Sequence, residues 1–159
     1  MKIVDLTVHS IAIADPPLRS SYGRHAPYAL RTILELKSDD GTIGLAETHG
    51  GDAIAQAFRA LGPQLRGADP YRVAGTLLPM IEEDPNRAGQ DRSQTFHVPG
   101  ENPLDEAARL YSAIEIACLD LIGKSVSRPA CDLLGGRARD AVPFSAYAFY
   151  KHAGGGGEG

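Results

Sequence analysis

Two adjacent side chains in the segment Gly23–Tyr28 could bind a small anionic molecule. The Arg24 guanidinium can meet a carboxylate through two parallel hydrogen bonds. The His25 imidazole can donate a hydrogen bond from one ring nitrogen while it accepts one at the other. By themselves these residue types allow a ligand contact, and a solvated surface loop is the ordinary interpretation of such a segment.

The remaining reactive side chains are interpreted as structural or solvent-facing. Glu115 and Asp120 fall in a predicted helix, where a buried carboxylate normally has a partner. The two cysteines lack the paired cysteine or histidine spacing that zinc requires, so they are interpreted as reduced and mostly buried thiols. The other groups are loop histidines without ligand spacing and a glycine run without the lysine of a phosphate-binding loop, namely His49, His97, His152 and residues 154–157.

Composition narrows the class of protein. The chain has 159 residues, enough for one domain with a sizeable core, and a net charge of -4 from 16 basic and 20 acidic residues without a basic cluster. This balance predicts neither a nucleic-acid nor a membrane partner. Asp5 and His9 interrupt the apolar start in a way that a secretory signal does not, and no stretch reaches the ~20 apolar residues of a membrane span. We therefore expect a cytoplasmic protein.

The first third of the chain predicts an antiparallel meander. Residues 2–14 form the first strand, which Pro16 and Pro17 end because proline removes a backbone donor. After a loop, apolar residues alternate with charged ones from Tyr28 onward, as a half-buried strand requires. An Asp-Gly turn at 39–41 then returns the chain through a third strand over 42–47.

Helical patterns follow the strands. Asp52 is expected to cap a helix over 53–65, with Gly67 as its stop signal. Further helices are predicted at 70–83, 104–124 and 129–134, and residues 84–103 form an irregular stretch long enough to be functional or mobile. Residues 141–150 predict a final strand and 153–159 a loop. Strands followed by helices, rather than alternating with them, indicate an α+β fold class.

Two groups of motifs resemble the enolase superfamily. The helix Ser112–Lys124 and the Leu-Leu-Gly-Gly at 133–136 are similar to its amino-terminal capping domain. The His-Ala-Pro at 25–27 and the Gln-Thr-Phe at 94–96 are similar to glucarate dehydratase and its relatives. The resemblance implies a capping domain over 1–139, a three-stranded antiparallel meander followed by a helical bundle. Residues 140–159 would then begin a (β/α)8 barrel, with its first strand and loop, that this chain does not complete.

The resemblance implies a chemistry for the full-length protein that would include this chain, here called the parent protein. That protein would be a Mg²⁺-dependent sugar-acid dehydratase, which abstracts the proton α to a carboxylate and eliminates water. The resulting enediolate needs charge held in place before the reaction, and in the superfamily barrel residues supply it. None of those barrel residues is in this chain. We therefore assign it no metal ligand and no catalytic base, and expect the chain alone to be inactive.

Three residues are carried over from the resemblance as substrate contacts, and Arg24 is a further candidate beside them. His25 would reach the substrate's carboxylate or hydroxyls, and Thr95 would hydrogen-bond its distal end. Tyr147 would stand at the end of the first barrel strand, the face where barrel active sites are built. Arg24 lies in a loop that departs from the family's pattern; it could meet the second carboxylate of a diacid, and a solvated surface arginine is the favoured interpretation. Solvated loop positions, and a core position for Tyr147, are the alternatives.

Other functions stay open at this point. A racemase or epimerase of the same superfamily shares the first step with a dehydratase. A stand-alone module that binds a ligand or partner without catalysis is a hypothesis from a different class. The expected partners are a small anionic sugar acid, the parent protein's own carboxyl-terminal barrel and, for the full-length protein, further copies of itself.

Overall fold

The structure is a computed structural model that describes residues 1–14, 19–20, 23–24, 27–82 and 103–146. Its strands are β1 (Ile3–Ala14), β2 (Arg19–Ser20), β3 (Gly23–Arg24), β4 (Tyr28–Ser38) and β5 (Ile43–His49). β1, β4 and β5 form one antiparallel sheet in the order β1-β4-β5, so the predicted meander is confirmed. The small ladder between β2 and β3 lies in a segment predicted to be a loop.

The central strand β4 has one face on the core and one toward solvent. Thr32, Leu34 and Leu36 are fully buried, while Lys37 on the opposite face is exposed. This is the period-two pattern that the sequence predicts, because successive side chains of a strand point to opposite faces.

The hairpin turn between β4 and β5 is closed by Asp40. Its carboxylate accepts hydrogen bonds from the Ser38 hydroxyl and from the Thr42 N–H at 2.9 Å. These hydrogen bonds favour the ionised form and lower the pKa of Asp40 to about 2. Gly41 takes φ 86°, a conformation that glycine adopts without strain.

The helices are α1 (Asp52–Leu65), α2 (Val73–Glu82), α3 (Pro103–Ser125) and α4 (Ala130–Leu133), with a 3₁₀ turn at Pro70–Arg72 before α2. The predicted cap of α1 is wrong by one residue. Gly51 is the N-cap, with φ 143°, and no side chain caps this end. Asp52 instead lies in the first turn, where its charge still favours the positive end of the helix dipole.

Helices α1 and α3 cover the same face of the sheet. Phe58 and Leu65 of α1 and Ile114 and Leu121 of α3 are completely buried with the sheet leucines. α3 approaches β5 so closely that a Cβ at Gly44 would lie 2.1 Å from the Ala117 carbonyl oxygen. The glycine is therefore required by the contact between the strand and the helix.

The predicted final strand is wrong for residues 141–146, which form no strand. A strand needs a neighbouring strand to pair with, and no strand of the described residues pairs with this segment. Residues 147–150 of this prediction lie outside the described residues. Within the described part of the chain, no helix has the length and apolar character that crossing a membrane requires.

Candidate functional site

One end of the sheet gathers the segments that could face a ligand. Ala14 at the end of β1 pairs with Tyr28 at the start of β4, and His49 at the end of β5 pairs with Arg31. α1 begins three residues later, at Asp52. This part of the sheet is called the open end. Residues 15–27, which include Arg24 and His25, leave β1 and enter β4 there.

The open end has an apolar, accessible wall. Tyr28 and Leu30 lie on the helix-facing side of β4, yet they are 50% and 46% exposed. The same face becomes fully buried from Thr32 onward. The open end therefore continues the core surface past the point where α1 and α3 cover it.

Two glycines fix how the chain leaves β5 at the open end. The Gly50 N–H donates to the Leu30 carbonyl at 2.9 Å, and a Cβ at Gly50 would lie 2.4 Å from the Arg31 nitrogen. Gly51 then turns the chain into α1 with φ 143°. Neither glycine was predicted to have this role, although a Gly-Gly pair between a strand and a helix is a signal for such a turn.

The charged groups on the solvent side of the open end are paired with each other. Arg31 Nε lies 2.8 Å from a Glu47 carboxylate oxygen, and its guanidinium also donates to the Leu30 carbonyl at 3.2 Å. Farther along the sheet, His9 Nε2 lies 3.3 Å from a Glu35 carboxylate oxygen. Arg31 is thus held by protein partners. The prediction that His49 faces solvent is confirmed, because its side chain is exposed, but the residue ends β5 and does not lie in a loop.

A buried hydroxyl lies beside the open end. Ser10, Thr32 and Thr48 form one row across the three strands on the helix-facing side. Thr32 is fully buried, and no donor or acceptor in the described part of the chain reaches its Oγ1. Burying the Thr32 hydroxyl without a hydrogen-bond partner destabilises the fold, because the hydrogen bonds that it makes to water in the unfolded chain are not replaced.

The four predicted substrate contacts are only partly described. Arg24 lies in β3, where its backbone pairs with Arg19, and its side chain is outside the description. His25, Thr95 and Tyr147 lie outside the described residues. Their roles stay predictions. Arg24 and His25 are assigned to the open end only because they come shortly before Tyr28 in the sequence.

The two carboxylates of α3 have structural partners. Glu115 accepts a hydrogen bond from the Tyr111 hydroxyl at 3.0 Å, in place of the expected ion pair or capping interaction. Burial, together with this hydrogen bond and the Glu115 charge, raises the pKa of Tyr111. Asp120 accepts from the Leu45 N–H at 2.7 Å and from Lys124 Nζ at 2.6 Å, which ties α3 to β5. The structural interpretation of Asp120 is confirmed.

The described residues form no metal-binding cluster, and the buried cysteine is not a nucleophile. They contain no group of three or more histidine, cysteine, aspartate or glutamate side chains that could hold a metal ion. Burial, with a smaller contribution from Glu115, raises the pKa of the Cys118 thiol to about 12. A thiol is nucleophilic only as a thiolate, so Cys118 is unreactive. Its side chain is 1% exposed and belongs to the hydrophobic core.

The chain is similar to enzymes of known classes over almost its whole length. No family model matches it. It is 37% identical over 161 residues to a probable glucarate dehydratase from Streptomyces coelicolor, which covers 94% of this chain. It is 30% identical to a cis-3-hydroxy-L-proline dehydratase from Roseibium aggregatum over 89% of this chain, and 26% identical to an N-succinyl-L-Arg/Lys racemase from Bacillus cereus over 90%. The chain spans 36% of the length of each of these relatives.

Solved structures match the fold. A crystal structure of an enolase from Pseudomonas fluorescens, with bound magnesium, potassium and tartrate, superposes with a TM-score of 0.82 at 38% identity. It covers 96% of this chain, which spans 36% of that structure. An enolase from Thermobispora bispora, complexed with magnesium and formate, gives 0.81 at 40% identity, with 99% of this chain and 37% of that structure covered.

The chain has the fold of an amino-terminal capping domain. It consists of an antiparallel sheet with helices packed on one face, and it matches 36% and 37% of the length of the two solved enolases. The chain belongs to the enolase superfamily, and within it the sequence is glucarate dehydratase-like. The fold class expected from the sequence is thereby confirmed.

Proposed function

We propose that this chain is the substrate-contacting cap of a Mg²⁺-dependent sugar-acid dehydratase. The observation that carries the proposal is the 37% identity to a probable glucarate dehydratase over 94% of the chain. The parent protein would abstract the proton α to a carboxylate and eliminate water. Because the chain spans about a third of its relatives, the barrel that performs these steps lies in other parts of the parent protein.

The cap would bind and orient the substrate. A carbon acid beside a carboxylate is too weakly acidic for a side-chain base unless the developing enediolate is stabilised by charge already in place. In the proposal, the barrel supplies that charge, as the resemblance implies. Magnesium bound in similar structures supports the same ion in the parent protein.

Arg24 and His25 are the proposed substrate contacts at the open end. Their segment starts from Ala14 and ends at Tyr28, which pair with each other in a regular ladder. A loop held at both ends by a rigid sheet can place polar side chains over a neighbouring domain and still adapt to a ligand. Arg24 would bind one carboxylate of a diacid, and His25 a carboxylate or hydroxyl. Thr95 and Tyr147 are proposed as further contacts from the resemblance.

A racemase or epimerase with the same cap is the second candidate. The relative that favours it is the N-succinyl-L-Arg/Lys racemase, at 26% identity over 90% of this chain. Both reactions begin with the same proton abstraction. They differ in whether water leaves or a proton returns, and that choice belongs to barrel groups.

The test uses the full-length parent protein with magnesium and a panel of sugar diacids. Loss of water, followed by the mass of the product, identifies a dehydratase. Incorporation of solvent deuterium without loss of water identifies a racemase or epimerase. Absence of both reactions across the panel contradicts the proposal.

The contribution of the cap is tested by His25→Ala in the same protein. We expect a higher KM or a lower kcat without loss of folding. His9→Ala is the matched control, because that histidine lies on the solvent side of the sheet against Glu35. Unchanged kinetics of His25→Ala on every diacid would remove His25 from the site.

A further inference from the structure

The second half of β1 is a strand edge that no other strand of the described residues pairs with. Ser10–Ala14 pairs with β4 on one side only. Leu30, opposite Ala12, directs its carbonyl to Gly50 on the β5 side. The main-chain groups of Ala12 therefore point away from the sheet, and by the alternation of an antiparallel ladder so do those of Ser10 and Ala14.

Parts of the other sheet edges are occupied. On β5, the Leu45 N–H donates to Asp120 at 2.7 Å, and the Ile43 carbonyl accepts from Lys124 at 2.9 Å. At the start of β1, Ile3 exchanges backbone hydrogen bonds with Gly67 and Ala68 at 2.8 and 2.9 Å. Such coverage prevents a strand edge from pairing with another chain.

The Arg59 guanidinium continues this coverage only as far as Val8. It donates to the Val8 carbonyl at 3.3 Å. Beyond Val8, no backbone or side-chain group in the described part of the chain bonds this edge, and all of Ser10–Ala14 is exposed.

The uncovered segment has the composition of a strand that pairs. Its sequence is Ser-Ile-Ala-Ile-Ala. It contains neither a charged residue nor a proline, and these are the residues that normally protect a strand edge from pairing. It is also self-complementary. In an antiparallel pair centred on Ala12, Ile11 of one copy lies opposite Ile13 of the other on the solvent side of the sheet, where cross-strand β-branched pairs are favourable.

We propose that Ser10–Ala14 pairs with the same segment of a second copy of this chain about a two-fold axis at Ala12. The main-chain groups of Ser10, Ala12 and Ala14 make the hydrogen bonds, and the two sheets become one continuous sheet. Such a contact is isologous, so it closes at a dimer. Tyr28 and Leu30, exposed beside Ala12 and Ala14 on the helix-facing side, add apolar area.

The first test is sedimentation velocity of the chain over a concentration series. We expect a reversible monomer–dimer equilibrium that Ile13→Lys weakens about tenfold or more, because a charge enters a charge-free pair at each of two symmetric positions. Ile43→Lys is the matched control. Ile43 is also an exposed isoleucine on an edge strand, at 40% against 47% for Ile13, but its edge is covered by Lys124.

A cross-link tests the position of the axis. Across a hydrogen-bonded antiparallel pair the Cα atoms lie about 5.5 Å apart, within the span of a disulfide. Ala12→Cys, in a Cys131→Ser background, should therefore form a disulfide-linked dimer on mild oxidation, whereas Ile43→Cys should not. A chain that stays monomeric at all concentrations, or dimers that Ile13→Lys leaves intact, would overturn the proposal.

Discussion

Thr32 is a buried polar residue in the central strand of the sheet. It is fully buried in β4, and its Oγ1 has no partner in the described part of the chain. Thr32→Val keeps the shape of the side chain and removes the unpaired hydroxyl. We expect it to raise the free energy of unfolding by about 1 kcal/mol, measured by urea denaturation.

Thr48→Val is the control for Thr32. Thr48 lies opposite Thr32 on the same face, but it is only partly buried, so its hydroxyl can bond water. We expect Thr48→Val to change the free energy of unfolding of the chain very little. A loss of stability in Thr32→Val would mean that the Thr32 hydroxyl has a partner in the folded protein.

Asp40 gives the hairpin turn a dependence on pH. Its pKa in the folded chain is about 2, below the ordinary value of 3.8, because Ser38 and the Thr42 N–H hold the carboxylate. A lowered pKa stabilises the fold above the unfolded value, and this contribution is lost as pH falls from about 4 toward 2. Asp40→Asn should therefore flatten the stability profile over that range, as followed by thermal unfolding.

Asp140→Asn is the control for the pH profile. Asp140 is almost fully exposed and lies 3.5 Å from Arg137. Its substitution should leave the profile between pH 4 and 2 unchanged. An unchanged profile in Asp40→Asn as well would show that the turn does not hold the Asp40 carboxylate in solution.

At the scale of elements, the contact between β5 and α3 depends on Gly44. A Cβ there would lie 2.1 Å from the Ala117 carbonyl and 2.8 Å from the Leu121 Cβ, and neither can move without displacing the helix. We expect Gly44→Ala to lower the free energy of unfolding by about 3 kcal/mol, measured by urea denaturation.

Gly75→Ala is the matched control. Gly75 lies inside α2, and no atom would come within 4 Å of an added Cβ. Because alanine is the better helix former, this substitution should stabilise the chain by about 0.5–1 kcal/mol. Equal losses at the two glycines would contradict the close approach of β5 to α3.

The main elements could be predicted because each carries its own periodicity. β4 alternates over its full length, and α3 repeats its apolar residues every three or four positions. The ladder of β2 and β3 could not be predicted, since two-residue strands show no period. The cap of α1 was misplaced because Asp52 is a frequent cap residue, whereas the structure uses the conformational freedom of Gly51.

At the scale of the whole molecule, motifs rather than periodicity predicted the family. The motifs in α3 and near His25 pointed to the capping domain, which the similar proteins confirm. The open end could not be predicted in the same way. It results from the register that places Ala14 beside Tyr28 and Arg31 beside His49, and register depends on how distant segments pair.

The residues that follow α4 expose large apolar side chains. Leu134, Val142 and Phe144 are strongly exposed, and Phe144 is 91% exposed. Exposed apolar residues so close in sequence indicate an interaction surface, which in the proposed parent protein the barrel would cover. Phe144→Ser should leave the thermal unfolding of this chain unchanged, because the side chain has little to lose. In the full-length protein it should lower stability by about 2 kcal/mol, the value of burying a large apolar side chain.

Tyr71→Ser, at an exposed aromatic residue beside α2, is the control and should have little effect in either protein. If Phe144→Ser and Tyr71→Ser behave alike in the full-length protein, the barrel does not contact Phe144.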